Sequence, residues 1–67
     1  MLSVTINGQE RQVPENVTVV EVIQLLNLAN RAVAVEINQR LVPRKEHPQT
    51  RLRAGDMIEI VTLVGGG

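Results

Sequence analysis

The side chains of this sequence that could do chemistry are few and poorly accompanied. His47 is the one histidine; it stands beside Pro48 in a polar stretch and is expected to be a solvated loop residue. Glu36 and Glu59 fall in strand-like segments and could share a sheet face as paired carboxylates. Acid–base catalysis also needs a positioned reactant, and the pattern offers neither nucleophile nor pocket for them. Ser3 and the threonines have no base to activate a hydroxyl. The absence of cysteine excludes a disulfide scaffold, a thiolate metal site, an iron–sulfur cluster and a cysteine nucleophile. The glycines do not make a phosphate-binding loop, because such a loop must lead into a helix and nothing follows them. The chain is therefore expected to be no enzyme by itself, and to bind no metal or cofactor of its own.

One reactive group remains, the carboxylate at the end of Gly65-Gly66-Gly67. Glycine has no Cβ, so such a tail can thread a narrow channel and present its carboxylate to another protein's active site. Four extended residues, Val64, Gly65, Gly66 and Gly67, reach roughly 13 Å. Three glycines bury no apolar area to offset their backbone entropy, so residues 64–67 are expected to be poorly ordered in the free protein. The plainer reading is a frayed end or a cloning remnant, and composition alone does not separate the two.

The elements that must position this tail are legible as far as residue 63. Ser3-Val4-Thr5-Ile6 alternates as a half-buried strand, Asn7-Gly8 is a tight hairpin turn, and the return strand runs to Val13 before Pro14 removes a donor. Thr18 and Glu21 form a capping box, Val17 and Val22 occupy the staple positions, and Val19, Val22, Ile23 and Leu26 recur at helical spacing. Asn27 suits the left-handed conformation that closes a helix. So many β-branched residues make a mediocre helix, which needs a sheet to pack against. Val33-Ala34-Val35-Glu36-Ile37 is the clearest strand; Asn38-Gln39 turns, Arg40-Leu41-Val42 returns, and Pro43 stops it. Residues 44–50 are expected to be irregular, Leu52 buried, and Ala54-Gly55-Asp56 a turn. In the last strand, 57–63, Ile58, Ile60 and Thr62 face one way and Met57, Glu59, Val61 and Leu63 the other.

This order, with one helix to cover one sheet face, gives an α+β domain. Its natural assembly is a ubiquitin-like β-grasp, a mixed sheet of four to five strands packed on one main helix, with first and last strands parallel. Residues 1–63 form the domain and 64–67 its tail. A 67-residue chain lies near the lower limit for a self-sufficient core, yet 43% apolar and 21% charged residues favour folding over disorder. The core is aliphatic, since Phe, Tyr and Trp are absent, and stacking platforms for single-stranded nucleic acid are absent with them. No secretory signal or membrane span is visible, so a cytoplasmic location is expected, with neither membrane nor nucleic acid as partner.

Charge is zero overall but uneven. Residues 40–53 hold Arg40, Arg44, Lys45, Arg51 and Arg53 against Glu46, whereas the remainder is mainly acidic. Such a division is usually a solvated face. The alternative is docking on an acidic protein, with Leu63 in an apolar contact and Arg44, Lys45, Arg51 and Arg53 as its rim.

The chain resembles the ThiS family of sulfur carriers in thiamin biosynthesis. The resemblance lies in Val33-Ala34-Val35-Glu36-Ile37-Asn38, Leu41-Val42-Pro43-Arg44, Gln49-Thr50, Leu52, Gly55-Asp56, Ile58-Glu59-Ile60-Val61 and Val64-Gly65-Gly66-Gly67. The Asn-Gly hairpin and Thr18-capped helix agree in placement, so it spans essentially the whole chain. It departs in having no aromatic residue and in Asn27, where many relatives have glycine. The resemblance implies that a ThiF-type adenylyltransferase, using ATP and Mg²⁺, adenylates the Gly67 carboxylate. Sulfur from a cysteine desulfurase then converts it to a thiocarboxylate, which a ThiG-type thiazole synthase consumes. A MoaD-like carrier of molybdopterin synthesis is the rival of the same mechanism; a non-catalytic β-grasp interaction domain is the rival of another class.

Overall fold

A computed structural model describes residues 1–63 of the chain. Gly67 and the rest of the tail, with the poor order expected of it, lie outside the described residues. Five strands and one α-helix follow the expected order: β1 (Leu2–Ile6), β2 (Gln9–Val13), α1 (Val19–Leu25), β3 (Val33–Ile37), β4 (Arg40–Val42) and β5 (Met57–Thr62). Both hairpin turns place two consecutive residues at positive φ, Asn7 at 50° with Gly8 at 84°, and Asn38 at 52° with Gln39 at 70°. That is the backbone of the tight turn whose twist matches antiparallel strands.

Helix α1 starts where the capping pattern requires. The Glu21 amide donates to the Thr18 hydroxyl at 3.2 Å, and the Thr18 amide donates to the Glu21 carboxylate at 2.8 Å. The staple residues Val17 and Val22 are both buried. The helix stops at Leu25, with Leu26 as its C-cap and Asn27 at φ 61°. Seven residues are too few to hold a helix in water, so its stability comes from Val19, Val22 and Ile23 packed on the sheet.

The sheet order is β2-β1-β5-β3-β4, which makes β5 the central strand. It runs parallel to β1, in register Thr5↔Met57 and Ile6↔Ile58, and antiparallel to β3, from Val33↔Thr62 to Ile37↔Ile58. The core between helix and sheet is wholly aliphatic and includes Val4, Ile6, Val13, Val35, Leu52, Ile58 and Ile60. Residues 44–50 are more regular than expected. A 3₁₀ turn spans Arg44–Glu46, and the Glu46 carbonyl accepts from both the amide and the hydroxyl of Thr50, at 3.0 and 2.8 Å. The cause is local: Pro43 ends β4 and starts the turn, and its carbonyl accepts from the Glu46 amide at 2.8 Å.

Two turn asparagines grip the central strand. β1 leaves β5 after the Asn7 amide donates to the Ile58 carbonyl at 2.8 Å. The Asn7 side chain then acts as one more residue of the ladder: its Oδ1 accepts from the Ile60 amide at 2.8 Å and its Nδ2 donates to the Ile60 carbonyl at 3.0 Å. On the opposite side, Asn38 Oδ1 accepts from the Met57 amide at 2.9 Å and Nδ2 donates to Asp56 at 3.1 Å. The other Asp56 oxygen accepts from the Arg53 amide at 2.8 Å.

These bonds can be weighed separately from the turn backbone. Asn7→Gly retains easy access to positive φ and removes only the two side-chain bonds, an expected loss of about 1–3 kcal/mol. Asn7→Ala adds the left-handed strain of about 1–2 kcal/mol. Urea unfolding of the two variants should therefore rank wild type above Asn7→Gly above Asn7→Ala; equal midpoints for all three would dismiss the clamp.

Candidate functional site

The strict alternation along β5 produces two unlike faces. Ile58 and Ile60 are buried against the helix, while Met57 and Val61 point outward with about half their surface in water, 57% and 55%. Leu63, whose amide donates to the Ala32 carbonyl at 2.8 Å, is equally open at 58%. Paired residues in neighbouring strands share a face. Ala34 therefore lies beside Val61 on the outer surface, and Leu41, Glu36 and Glu59 form one row across it. The outer face carries Met57, Ala34, Val61, Leu63 and Leu41, with Glu59 between Met57 and Val61 and Glu36 beside it. It leads along the strand toward the glycine tail.

Glu36 and Glu59 do stand directly opposite one another, as the strand pattern implies. Both are exposed on the open sheet face. Two like charges in water repel by no more than about 1 kcal/mol at contact distance, so the pair tolerates its position without a special environment. No group of three or more His, Cys, Asp or Glu suited to a metal occurs among the described residues.

The cationic segment lines two depressions. Arg51 and Arg53 share one with Arg40, Asn38, Glu46 and Asp56. Arg44 lines another, with Arg31 and Val33. Val33 pairs with Thr62, at the end of β5 from which the tail continues. Lys45 is exposed in the 3₁₀ turn.

His47 departs from expectation. It is buried, with 5% of its surface exposed, and its Nε2 lies 3.1 Å from the Val42 carbonyl. A carbonyl can only accept, so Nε2 carries the hydrogen. The reason for the burial is the 3₁₀ turn: His47 caps it, through its amide on the Arg44 carbonyl at 3.1 Å, and its own carbonyl lies 3.4 Å from the Val20 amide on the helix. A polar loop composition carries no hint of this. The side-chain roles of Asn7 and Asn38 were equally hidden, although the turns were not. The proximity of Arg31 to Arg44 joins residues thirteen positions apart and has no local signal.

A five-stranded mixed sheet wrapped on one helix, with first and last strands parallel, defines a ubiquitin-like β-grasp protein. Comparison with known proteins narrows the class. The ThiS family pattern matches residues 4–67. The chain is 36% identical over 64 residues to the sulfur carrier protein ThiS of Thermus thermophilus, covering 96% of this chain and 98% of that one. It superimposes with a TM-score of 0.83 on the crystal structure of the thiamine biosynthesis protein ThiS from Geobacter metallireducens, at 30% identity, over 98% of this chain and 100% of that one. It is also 38% identical, over 98% of its length, to part of a thiazole synthase from Paramagnetospirillum magneticum, of which it spans only 20%. The chain belongs to the ThiS family, the ubiquitin-like sulfur carriers of thiamin biosynthesis. No helix among the described residues is long and apolar enough to cross a membrane.

The buried imidazole yields a prediction of its own. His47→Ala removes the bond to the Val42 carbonyl and opens a void beneath the 3₁₀ turn, at an expected cost of about 2–4 kcal/mol. Thermal or urea unfolding checks it, and the cost of a solvated loop histidine, near zero, is the contrary result.

Proposed function

We propose that the chain carries sulfur on the carboxyl group of Gly67, as a co-substrate of partner enzymes. The observation that carries this reading is that the family match runs through the glycine tail, to residue 67. The geometry of the body supports it. The tail follows β5, the central strand of the sheet, which is hydrogen-bonded along both edges, so the fold offers a firm base for presenting it.

The chemistry follows from the inertness of a carboxylate, whose negative charge repels nucleophiles. One Gly67 oxygen attacks the α-phosphorus of ATP in a ThiF-type adenylyltransferase, expelling pyrophosphate and forming an acyl-adenylate. The carbonyl carbon is then open to a persulfide sulfur that traces back to a cysteine desulfurase; the C–S bond forms as AMP leaves, and a partner thiol cleaves the resulting acyl disulfide, being oxidised to a disulfide as the thiocarboxylate is released. The resulting thiocarboxylate transfers its sulfur to a ThiG-type thiazole synthase. ATP, Mg²⁺ and the catalytic groups belong to the partners, and the need for ATP suits the cytoplasm. Similarity to a fifth of a thiazole synthase chain supports that enzyme as the recipient.

The outer face of the sheet is the surface on which these partners would dock. Met57, Val61 and Leu63 offer apolar area that the fold leaves uncovered, and they lie on the strand that leads to the reacting carboxylate. Arg44 is the member of the basic segment nearest that end.

Deleting Gly67 moves the reacting carbon by about one residue, some 3.5 Å, and misplacement by about 1 Å already costs on the order of 100-fold in rate. ATP–pyrophosphate exchange with the cognate activating enzyme should therefore fall at least 100-fold, with the thermal midpoint unchanged. Exchange at the wild-type rate would return the chain to the interaction-domain reading. Val61→Asp tests the docking face separately. Its side chain is open to water, so stability should change by less than about 1 kcal/mol, whereas a charge buried at an interface should raise the KM for the carrier about tenfold or more. An unaltered KM would move the interface elsewhere.

A further inference from the structure

The helix side of the molecule has a feature that the carrier chemistry leaves unused. Between α1, the start of β3 and the 3₁₀ turn lies a depression walled by Val20, Ile23 and Val33 and by the buried ring of His47, with Arg31 and Arg44 on its lining. Arg31 and Arg44, from segments thirteen residues apart, both line it, and no carboxylate among the described residues does. Neither arginine has an ion-pair partner among the described residues, where the one ion pair joins the N-terminal amine to Glu15. Like charges brought together without a counter-charge repel, and an anion placed between them removes the repulsion. The depression lies on the helix-facing side of the sheet, so it stays open when the outer face is covered.

We propose that this depression is a binding site for the phosphate group of a small molecule. Guanidinium groups present planar forks of donors that match phosphate oxygens two at a time, and two of them supply enough positive charge for a dianion. The Nε2–H of His47 is committed to the Val42 carbonyl, so the histidine fixes the wall while the arginines bind. The aliphatic side chains beside the cations leave room for the apolar portion of a phosphate monoester. The proposal does not rest on the sulfur-carrier chemistry.

The experiment follows backbone amide shifts of the whole chain by NMR during addition of inorganic phosphate or of AMP, with sodium chloride at equal ionic strength as control. Saturable shifts confined to Gln24, Arg31, Arg44, His47 and their neighbours are expected with at least one of the two phosphates. Equal affinities would assign recognition to the phosphate alone; tighter binding of AMP would add the aliphatic wall. Arg31→Gln or Arg44→Gln should weaken binding about tenfold or more, the effect of removing one charged hydrogen-bonding partner. Both side chains are exposed, so the remaining spectrum should stay that of the wild type. The proposal is overturned if neither phosphate saturates, if sodium chloride reproduces the shifts, or if both variants bind as the wild type does. Saturation by a glutamate-rich peptide, but by neither phosphate, would overturn it in favour of an acidic protein partner.

Discussion

The rest of the sheet depends on the pairing of its last strand. The fold puts β5 in the centre of the sheet, between β1 and β3. Its parallel partner β1 is short and turns away at Asn7, which would leave the Ile60 backbone unpaired on that side. The Asn7 amide fills the gap with one donor and one acceptor, the same complement as a peptide unit. Asn38 does similar service at the start of the strand, through Met57 and Asp56. Each asparagine is therefore used twice: its backbone accepts the positive φ that the hairpin requires, and its side chain extends the hydrogen bonding of a strand distant in sequence.

The same strand divides the molecule into a packed side and an open side. Side chains alternate across a sheet, so Ile58 and Ile60 can belong to the core only if Met57, Glu59 and Val61 do not. With a single short helix available, one face of the sheet is left uncovered. Exposed apolar residues on that face follow from the architecture, and they lie along the strand that precedes Gly65-Gly66-Gly67 in sequence. The carboxylates Glu36 and Glu59 keep the face from being wholly apolar, which limits its tendency to self-associate.

Stability in so small a body rests on branched aliphatic side chains, with no Phe, Tyr or Trp and no disulfide to add to it. Valine and isoleucine suit the strands and the staple of the helix, but they leave the helix itself weak. Its seven residues persist because the capping box satisfies the first amides and because Val19, Val22 and Ile23 are buried. The long segment from Pro43 to Asp56 is held by short-range backbone bonds, by Leu52 in the core and by the His47 ring. A polar residue in that interior is tolerated because Nε2 meets a carbonyl at the end of β4.

The order and type of the elements were legible in the sequence because each was encoded locally. Alternation marked the strands, Asn-Gly and Asn-Gln the hairpins, Thr18 with Glu21 the helix start, and two prolines the strand ends. The family was legible as well, since its motifs run from residue 33 through the terminal glycines. What the sequence could not encode locally was the meeting of distant groups. His47 reads as solvent-exposed from its neighbours and is buried because the 3₁₀ turn folds it against β4 and the helix. The cationic segment reads as one group, and its members line two different depressions. Arg31 and Arg44 line one depression only because segments distant in sequence fold beside it. Local patterns determine dihedral angles and faces, which depend on a few successive residues. Tertiary structure alone decides which faces and ends meet, because that depends on burying one shared core among all of them.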